Sequence, residues 1–281
     1  MSKALVIGLG MGQQYRNWFT DLGYSVDTLD VDPSKNATFN SVEQALETQY
    51  EFIYIGTPNW THETIARQVA NNTKILLIEK PGFKNSSAWE SFSKEFPNTR
   101  ITMVKNNQYR FELSGYQDLA IISKSVTIKW SRCDGVPGAP WFTQKDKAFG
   151  GVSRDLMTHL LSYYTALTDY SKGRILEKKA LDIHNTGVDD YCEISLKNKG
   201  VEWKLIADWK NESADEHYIE FDLNVRTVRF ELGDYMTAFG GCPAGPYLSM
   251  ITACKDNIDN KDFWQKQLTQ DLWIHTQVEP L

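Results

Sequence analysis

Three residues have the types and spacing to move a proton: Lys80, Asp155 and His159. Lys80 comes between Glu79 and Pro81 directly after an apolar run, so it reads as a lysine at the carboxyl end of a buried strand. Farther along, Gly150 and Gly151 lead into Asp155 and His159, which stand at i and i+4 and would share one face of a helix. An unperturbed imidazole titrates near about 6.5, which suits the proton of a secondary alcohol, and an ammonium can stabilise the alkoxide that develops. Alone, a Lys-Pro at a strand end reads as a solvated loop, and an Asp/His pair at this spacing as a surface hydrogen bond. Their joint occurrence in this order carries the chemistry. His184, His217 and His275 have no comparable partners and read as structural or exposed.

Elements must exist to position these groups. Through about residue 110, short apolar runs at 4–7, 25–31, 52–55, 74–78 and 101–104 alternate with helix-length stretches. Such runs predict parallel strands buried on both faces, and hence a doubly wound α/β sheet. After residue 120 the rhythm changes to period two. Val201, Trp203, Leu205, Ala207 and Trp209 are separated mostly by polar residues, as a half-covered antiparallel strand requires. Ile219, Phe221 and Leu223 continue the alternation, and Val228, Phe230 and Leu232 resume it in the opposite phase, which calls for a bulge or turn at 224–227. With strands at 125–130 and 191–196 and helices at 153–167 and 262–275, the second half reads as an α+β domain with an open, mainly antiparallel sheet. The expected domains are residues 1–113 and 114–281.

Gly8, Gly10, Met11 and Gly12 follow the first predicted strand and precede a helix-compatible run at 13–22. Glycines in that place permit a tight turn and let backbone amides and a helix N-terminus approach a pyrophosphate. The third glycine comes one residue earlier than the G-x-G-x-x-G pattern has it, and the bland alternative is a turn that merely joins strand to helix. Asp30 lies 20 residues beyond Gly10, where an acid can accept hydrogen bonds from an adenosine ribose and repel a 2′-phosphate. This favours NAD, with NADP possible. Asp32, before Pro33, could instead open a turn. Thr57, Pro58, Asn59 and His62 form a polar loop after the strand at 52–55, placed to touch a cofactor at the carboxyl edge of the sheet. His62, followed by Glu63, could equally just open the next helix.

Together Gly8 and Gly10, the Gly56-Thr57-Pro58-Asn59 loop with His62, Glu79-Lys80-Pro81, and Gly150-Gly151 with Asp155 and His159 resemble the Gfo/Idh/MocA family of glucose-fructose oxidoreductase and inositol dehydrogenase relatives. The resemblance covers residues 1–160. It implies an N-terminal Rossmann domain binding NAD(P) and a second domain that closes over a sugar, cyclitol or related polyol and whose sheet forms a homodimer or homotetramer. It also implies Lys80 as the catalytic lysine, Asp155 as the acid that orients substrate, and His159 as the general acid/base. Glu79 and Pro81 would belong to the cofactor site, Pro81 beside the nicotinamide. Departures are the contracted glycine loop, Val152 where many relatives carry a third glycine, and a short chain.

Asn107, Tyr109 and Arg110 follow the strand at 101–104 and could offer donors to hydroxyls, and Trp141 could stack on a sugar ring. With nine tryptophans in the chain, Trp141 could equally be core. A net charge of −6 opposes sequence-independent binding to nucleic acid. No apolar run is long enough to span a membrane. The four cysteines, Cys133, Cys192, Cys242 and Cys254, show neither a disulfide framework nor zinc-ligand spacing, so no metal is expected and a cytoplasmic setting is. Other readings are a non-catalytic dinucleotide-binding regulator, or an enzyme that keeps NAD tightly bound and recycles it within each cycle.

Overall fold

The structure, a computed structural model, describes residues 2–232 and 245–279. The chain divides into two compact units, Met1–Val104 with Ile251–Thr276, and Lys105–Met250 with Gln277–Leu281. Among the described residues no helix is long and apolar enough to cross a membrane. Cys133, Cys192 and Cys254 are not disulfide-bonded, and Cys242 lies outside the described residues.

In the first unit strand and helix alternate: β1 (Lys3–Ile7), α1 (Gly12–Asp21), β2 (Ser25–Leu29), α2 (Val42–Ala45), β3 (Tyr50–Ile55), α3 (His62–Val69), β4 (Thr73–Ile78), α4 (Ser86–Glu95) and β5 (Arg100–Met103). The strands pair in parallel in the order β2-β1-β3-β4-β5. The order reverses at β1, so the loops after β1 and β3 flank the point where such sheets open a crevice. Ala4, Leu5, Val6 and Ile7 are wholly buried, as are Phe52, Ile53, Tyr54 and Ile55 on β3 and Ile75, Leu76, Leu77 and Ile78 on β4. These are the continuous apolar runs of the sequence, covered on both faces. α1 contributes Tyr15, which stacks on Tyr54 with ring centroids 3.7 Å apart.

Residues 251–276 cluster with this unit, although the sequence reading puts everything after residue 113 in the second domain. On the C-terminal helix (Lys261–Val278), Asp271 Oδ2 accepts the Met103 N–H of edge strand β5 at 3.2 Å, and Gln267 Oε1 accepts the Thr102 hydroxyl at 3.5 Å. The helix thereby satisfies a strand edge that would otherwise be bare. Its amphipathic pattern predicts a helix correctly but carries no information about which sheet it covers.

The second unit contains α5 (Leu113–Ile122), β6 (Ser125–Ser131), α6 (Lys145–Ala148), α7 (Leu156–Leu167), β7 (Arg174–Leu181), β8 (Tyr191–Asn198), β9 (Val201–Asp208), β10 (Glu216–Asp222) and β11 (Thr227–Glu231). The sheet order is β11-β10-β6-β9-β8-β7, antiparallel except where β6 runs parallel to β9. Val201, Trp203, Leu205 and Ala207 of β9 are buried while Glu202 and Lys204 are exposed, as the alternation requires. The phase change at 224–227 is a turn: Asn224 takes a left-handed φ of 67°, and Leu223 N–H and Arg226 O close the hairpin at 3.0 Å. β7 has no counterpart in the sequence reading. It is an edge strand, exposed along most of its length and rich in charge, so it lacks an apolar period.

Candidate functional site

The glycine loop of the first unit is set by backbone proximity. Gly8 adopts φ +88°, and a Cβ there would lie 2.8 Å from the Gly56 carbonyl oxygen. Gly12 opens α1, and a Cβ on it would lie 2.8 Å from Val6 Cγ1. The early third glycine is thus the one that lets helix and strand approach. Gly10 and Met11 between them are exposed. Neither a side-chain cap nor an acidic residue occupies the first turn of α1, where Gln13 N–H and Gln14 N–H turn back to Gly10 O at 3.4 Å and Met11 O at 3.1 Å. Asp30, just past β2, accepts Leu9 N–H at 2.7 Å on Oδ2 and Asp32 N–H at 2.9 Å on Oδ1. A carboxylate has about four lone-pair sites, so Asp30 can brace the loop and still accept from hydroxyls. Asp32 does open a turn, with Oδ1 accepting Ser34 N–H at 2.9 Å.

The loops after β3 and β4 are braced to each other. Tyr54 donates its hydroxyl to Glu79 Oε1 at 3.0 Å, and Glu79 Oε2 accepts the Lys80 backbone N–H at 3.1 Å. Glu79 therefore fixes the segment that carries Lys80. A Cβ on Gly56 would fall 2.4 Å from that Tyr54 hydroxyl. Thr61 donates to Pro58 O at 2.7 Å and lies 2.7 Å from the Thr57 hydroxyl, and Asn59 beside them is buried.

His62 is fully buried, its Nε2 2.7 Å from Thr57 O and its Nδ1 2.9 Å from Gly82 O. It begins α3, as the plainer reading of it has it, and its ring ties two loops together rather than offering a nitrogen outward. Burial is the largest influence on its pKa and, with the Lys80 charge, lowers it against the pull of the two carbonyls.

Lys80 is half-buried, Pro81 is buried, and the bond between them is cis. Gly82 follows at φ +77°, where a Cβ would meet His275 Nε2 at 2.6 Å. That nitrogen accepts Phe83 N–H at 3.3 Å, while His275 Nδ1 donates to Asp271 O at 2.7 Å. His275, set aside in the sequence as structural or exposed, is a buried brace on the turn that follows Lys80 and Pro81.

In the second unit the entry to α7 is anchored by Asp189. Its carboxylate accepts Gly151 N–H at 2.9 Å and Ser153 N–H at 2.7 Å, and its carbonyl accepts Val152 N–H at 2.7 Å. A Cβ on Gly151 would lie 1.9 Å from that carbonyl oxygen. Asp155 is the N-cap of α7 rather than part of its first turn, and its Oδ2 accepts Trp209 Nε1–H at 2.9 Å. Every residue of α7 is buried except His159. A helix sealed along its length therefore opens at one imidazole, four residues from a carboxylate already held in orientation.

Around His159 the side chains form a connected cluster. Its ring lies 5.4 Å from that of Trp130, which stacks on His217 at 4.0 Å and 12°. His217 Nε2 is 3.2 Å from the Tyr163 hydroxyl, and Arg110 Nη1 donates to the same hydroxyl at 3.4 Å. Arg110 is also paired with Glu112. The turn Asn106–Tyr109, bearing Asn107 and Tyr109, packs on α7. Asn107 is buried, with Oδ1 3.4 Å from Asn106 Nδ2, and Tyr109 is half-buried. Trp141 is half-buried and stacks on Phe142 at 4.0 Å, and Phe142 in turn meets Trp209 edge-on at 6.3 Å.

This architecture is shared at full length with solved oxidoreductases. GenD2 from gentamicin A biosynthesis, in complex with NAD, matches with TM-score 0.84 and 18% identity over 99% of this chain and 92% of its own. A myo-inositol dehydrogenase from Corynebacterium glutamicum matches with TM-score 0.76 and 10% identity, covering 99% and 96% of the two chains. WlbA from Thermus thermophilus, in complex with NAD and UDP-GlcNAcA, matches with TM-score 0.72 and 13% identity over 100% and 95%. These structural neighbours are of the Gfo/Idh/MocA type, and this chain shares their fold. In sequence, a UDP-kanosamine synthase oxidoreductase subunit of Amycolatopsis mediterranei is 26% identical over 179 residues, 57% of this chain. The match spans about half, 49%, of that relative. No family model matches the chain.

On this shared fold, every residue singled out for cofactor lies at the carboxyl edge of the parallel sheet, or one turn beyond it. Asp155, His159 and Arg110 all belong to or adjoin the α7 cluster. The sequence reading missed Trp209, Tyr163, His217 and His275. A signal existed for one of them: Asp155, His159 and Tyr163 stand at i, i+4 and i+8. The others come from distant segments and have no local signature.

Proposed function

We propose that this chain is an NAD(H)-dependent oxidoreductase that interconverts a secondary alcohol and a ketone on a sugar, cyclitol or related polyol. The observation that carries the reading is the single opening of α7 at His159, beside an Asp155 oriented by Trp209. The first unit fits the cofactor. Its glycine loop tolerates no Cβ at Gly8 or Gly12, its α1 N-terminus is uncapped, and Asp30 retains acceptor capacity for ribose hydroxyls. Gly8, Gly10, Met11 and Gly12 would hold the pyrophosphate, with Thr57, Pro58, Asn59, Glu79 and Pro81 completing the site and His62 bracing it. Bound NAD supplies the hydride acceptor, and its reduced form the donor. Asp30 disfavours a 2′-phosphate, so NAD is preferred over NADP.

His159 takes the hydroxyl proton during oxidation and returns it during reduction. Asp155, held by the Trp209 indole, accepts a hydrogen bond from substrate and orients it. Lys80 donates to the reacting oxygen and offsets the charge that builds there. Asn107, Tyr109, Arg110 and Trp141 are the further substrate contacts in this reading. Assembly as a homodimer or homotetramer through the second sheet and a cytoplasmic setting complete it.

The test follows nicotinamide absorbance with NAD and NADP in both redox states against glucose, myo-inositol and UDP-N-acetylglucosamine. Lys80→Ala and His159→Ala are each expected to lower kcat by roughly 10²–10⁴-fold. Asp30→Ala is expected to weaken NAD binding without unfolding the protein. Tight NAD binding with no absorbance change on any alcohol would refute the dehydrogenase reading and favour a regulator or an enzyme that recycles its NAD within each cycle.

A further inference from the structure

The α7 cluster contains a second imidazole to which the mechanism gives no task. His217 projects from β10 and is paired across the strands with Trp130 of β6, on which it stacks at 4.0 Å. It is half-buried, and among the described residues its only hydrogen bond is made by Nε2, to the Tyr163 hydroxyl at 3.2 Å. That hydroxyl already accepts from the Arg110 guanidinium at 3.4 Å. A guanidinium can only donate, so the phenol oxygen accepts from Arg110, and the phenol's own proton can be given to Nε2. In that arrangement the imidazole carries its proton on Nδ1, a nitrogen with no hydrogen-bond partner among the described residues. Burial, the Arg110 charge and His159 together push the His217 pKa down to about 3, so this ring stays neutral and does not compete with His159 for a proton.

We propose that His217 is a substrate-binding residue beside His159: held by Tyr163 as the Nδ1–H tautomer and seated on Trp130, it donates one hydrogen bond to a polyol oxygen next to the reacting carbon. The proposal rests on the reading of His159 as the acid/base. It divides the work between the two imidazoles that flank Trp130, one carrying the proton and the other selecting a hydroxyl or carbonyl oxygen. Arg110 becomes a positioning residue that acts through Tyr163. A site built to satisfy a substrate oxygen rejects analogues lacking it, because a donor covered by the bound analogue is then left unpaired.

Two variants test this on whichever alcohol of the panel the wild type turns over best. His217→Phe keeps a flat ring on Trp130 and removes the donor, and is expected to raise KM roughly 10- to 100-fold while kcat changes less than about fivefold. His217→Asn, whose amide nitrogen can stand near the place of Nδ1–H, is expected to recover at least about a third of the lost kcat/KM. A purely structural role would lower thermal stability in both variants and give no rescue. A KM within about twofold of wild type in His217→Phe, or Asn no better than Phe, overturns the proposal.

Imidazole ¹⁵N–¹H spectra of the NAD-loaded wild type give a readout that does not depend on turnover. They should place the His217 proton on Nδ1, and that resonance should move when myo-inositol or UDP-N-acetylglucosamine is added. A proton on Nε2, or no response to glucose or to either of these, overturns the assignment even where the dehydrogenase reading stands. Conversely, an Nδ1–H signal that responds to a polyol in a protein without turnover supports binding at His217 and refutes the redox reading alone.

Discussion

His62 in the first unit and His217 in the second are both imidazoles driven toward the neutral form chiefly by burial, yet they are held in opposite ways. His62 turns both nitrogens toward main-chain carbonyls, those of Thr57 and Gly82, and as a neutral ring donates to one of them. His217 spends one nitrogen on a side chain and rests on another. The contrast extends to their surroundings. The loops after β1, β3 and β4 are fixed by backbone contacts and by braces such as Glu79 and His275, an arrangement suited to a ligand that is the same in every turnover. The α7 face is assembled from side chains of β6, β10 and the 106–110 turn, any of which can be exchanged without moving the main chain. A chain organised in this way can keep its cofactor site while its substrate preference drifts.

The largest effect should come where the second unit breaks this pattern. Gly151→Ala puts a Cβ 1.9 Å from the Asp189 carbonyl oxygen, at the backbone-limited entry to α7. Chemical denaturation should show a loss of roughly 4 kcal/mol or more, at the exceptional end for a point change, and turnover should vanish with the displaced Asp155. Retained stability and activity would mean that the entry is pliant and the contrast between the regions overstated.

Next in size is His62→Phe, which removes the imidazole donor set between the Thr57 and Gly82 carbonyls. A destabilisation of about 1–3 kcal/mol is expected, together with weaker NAD binding as the two loops separate. If this variant is no less stable than His217→Phe, the backbone brace has no special weight.

The smallest effect lies in acid stability. The folded-state pKa of His217 is about 3, below the value near 6.5 of an unfolded histidine, so the unfolded chain takes up the proton first as pH falls. The stability contribution of neutral His217 is full above about pH 6.5 and is lost as pH drops from there toward 3. Melting temperatures at pH 7 and pH 4.5 should therefore differ less in His217→Phe than in the wild type. Equal differences would show that the ring protonates freely in the folded protein.

Much of the site could be read from the chain because its constraints are local. Gly8 and Gly12 announce a strand-to-helix turn too tight for a Cβ, Asp30 falls at the end of a strand that its own pattern defines, and Asp155 and His159 share a helix. The exceptions have a common cause. β7 gave no signal because an exposed edge strand has no apolar face to conserve a period. Trp209 reads as an inward-facing strand residue and is buried one residue past the end of β9, yet nothing in its neighbourhood says that its indole nitrogen will meet Asp155.

The sequence alone determined most of the strands and helices, β7 excepted, where the sheet turns its glycine loop, and which acid/base residues exist, since each depends on neighbours within a few positions. Tertiary structure decided that residues 251–276 return to the first unit, that His275 supports the turn after Lys80 and Pro81, and that His217, Tyr163 and Arg110 converge beside His159. The physical reason is range. Backbone conformation and hydrophobic period are set by residues adjacent in sequence, whereas a hydrogen bond between segments 54 or 192 positions apart exists only after the sheets have brought them together.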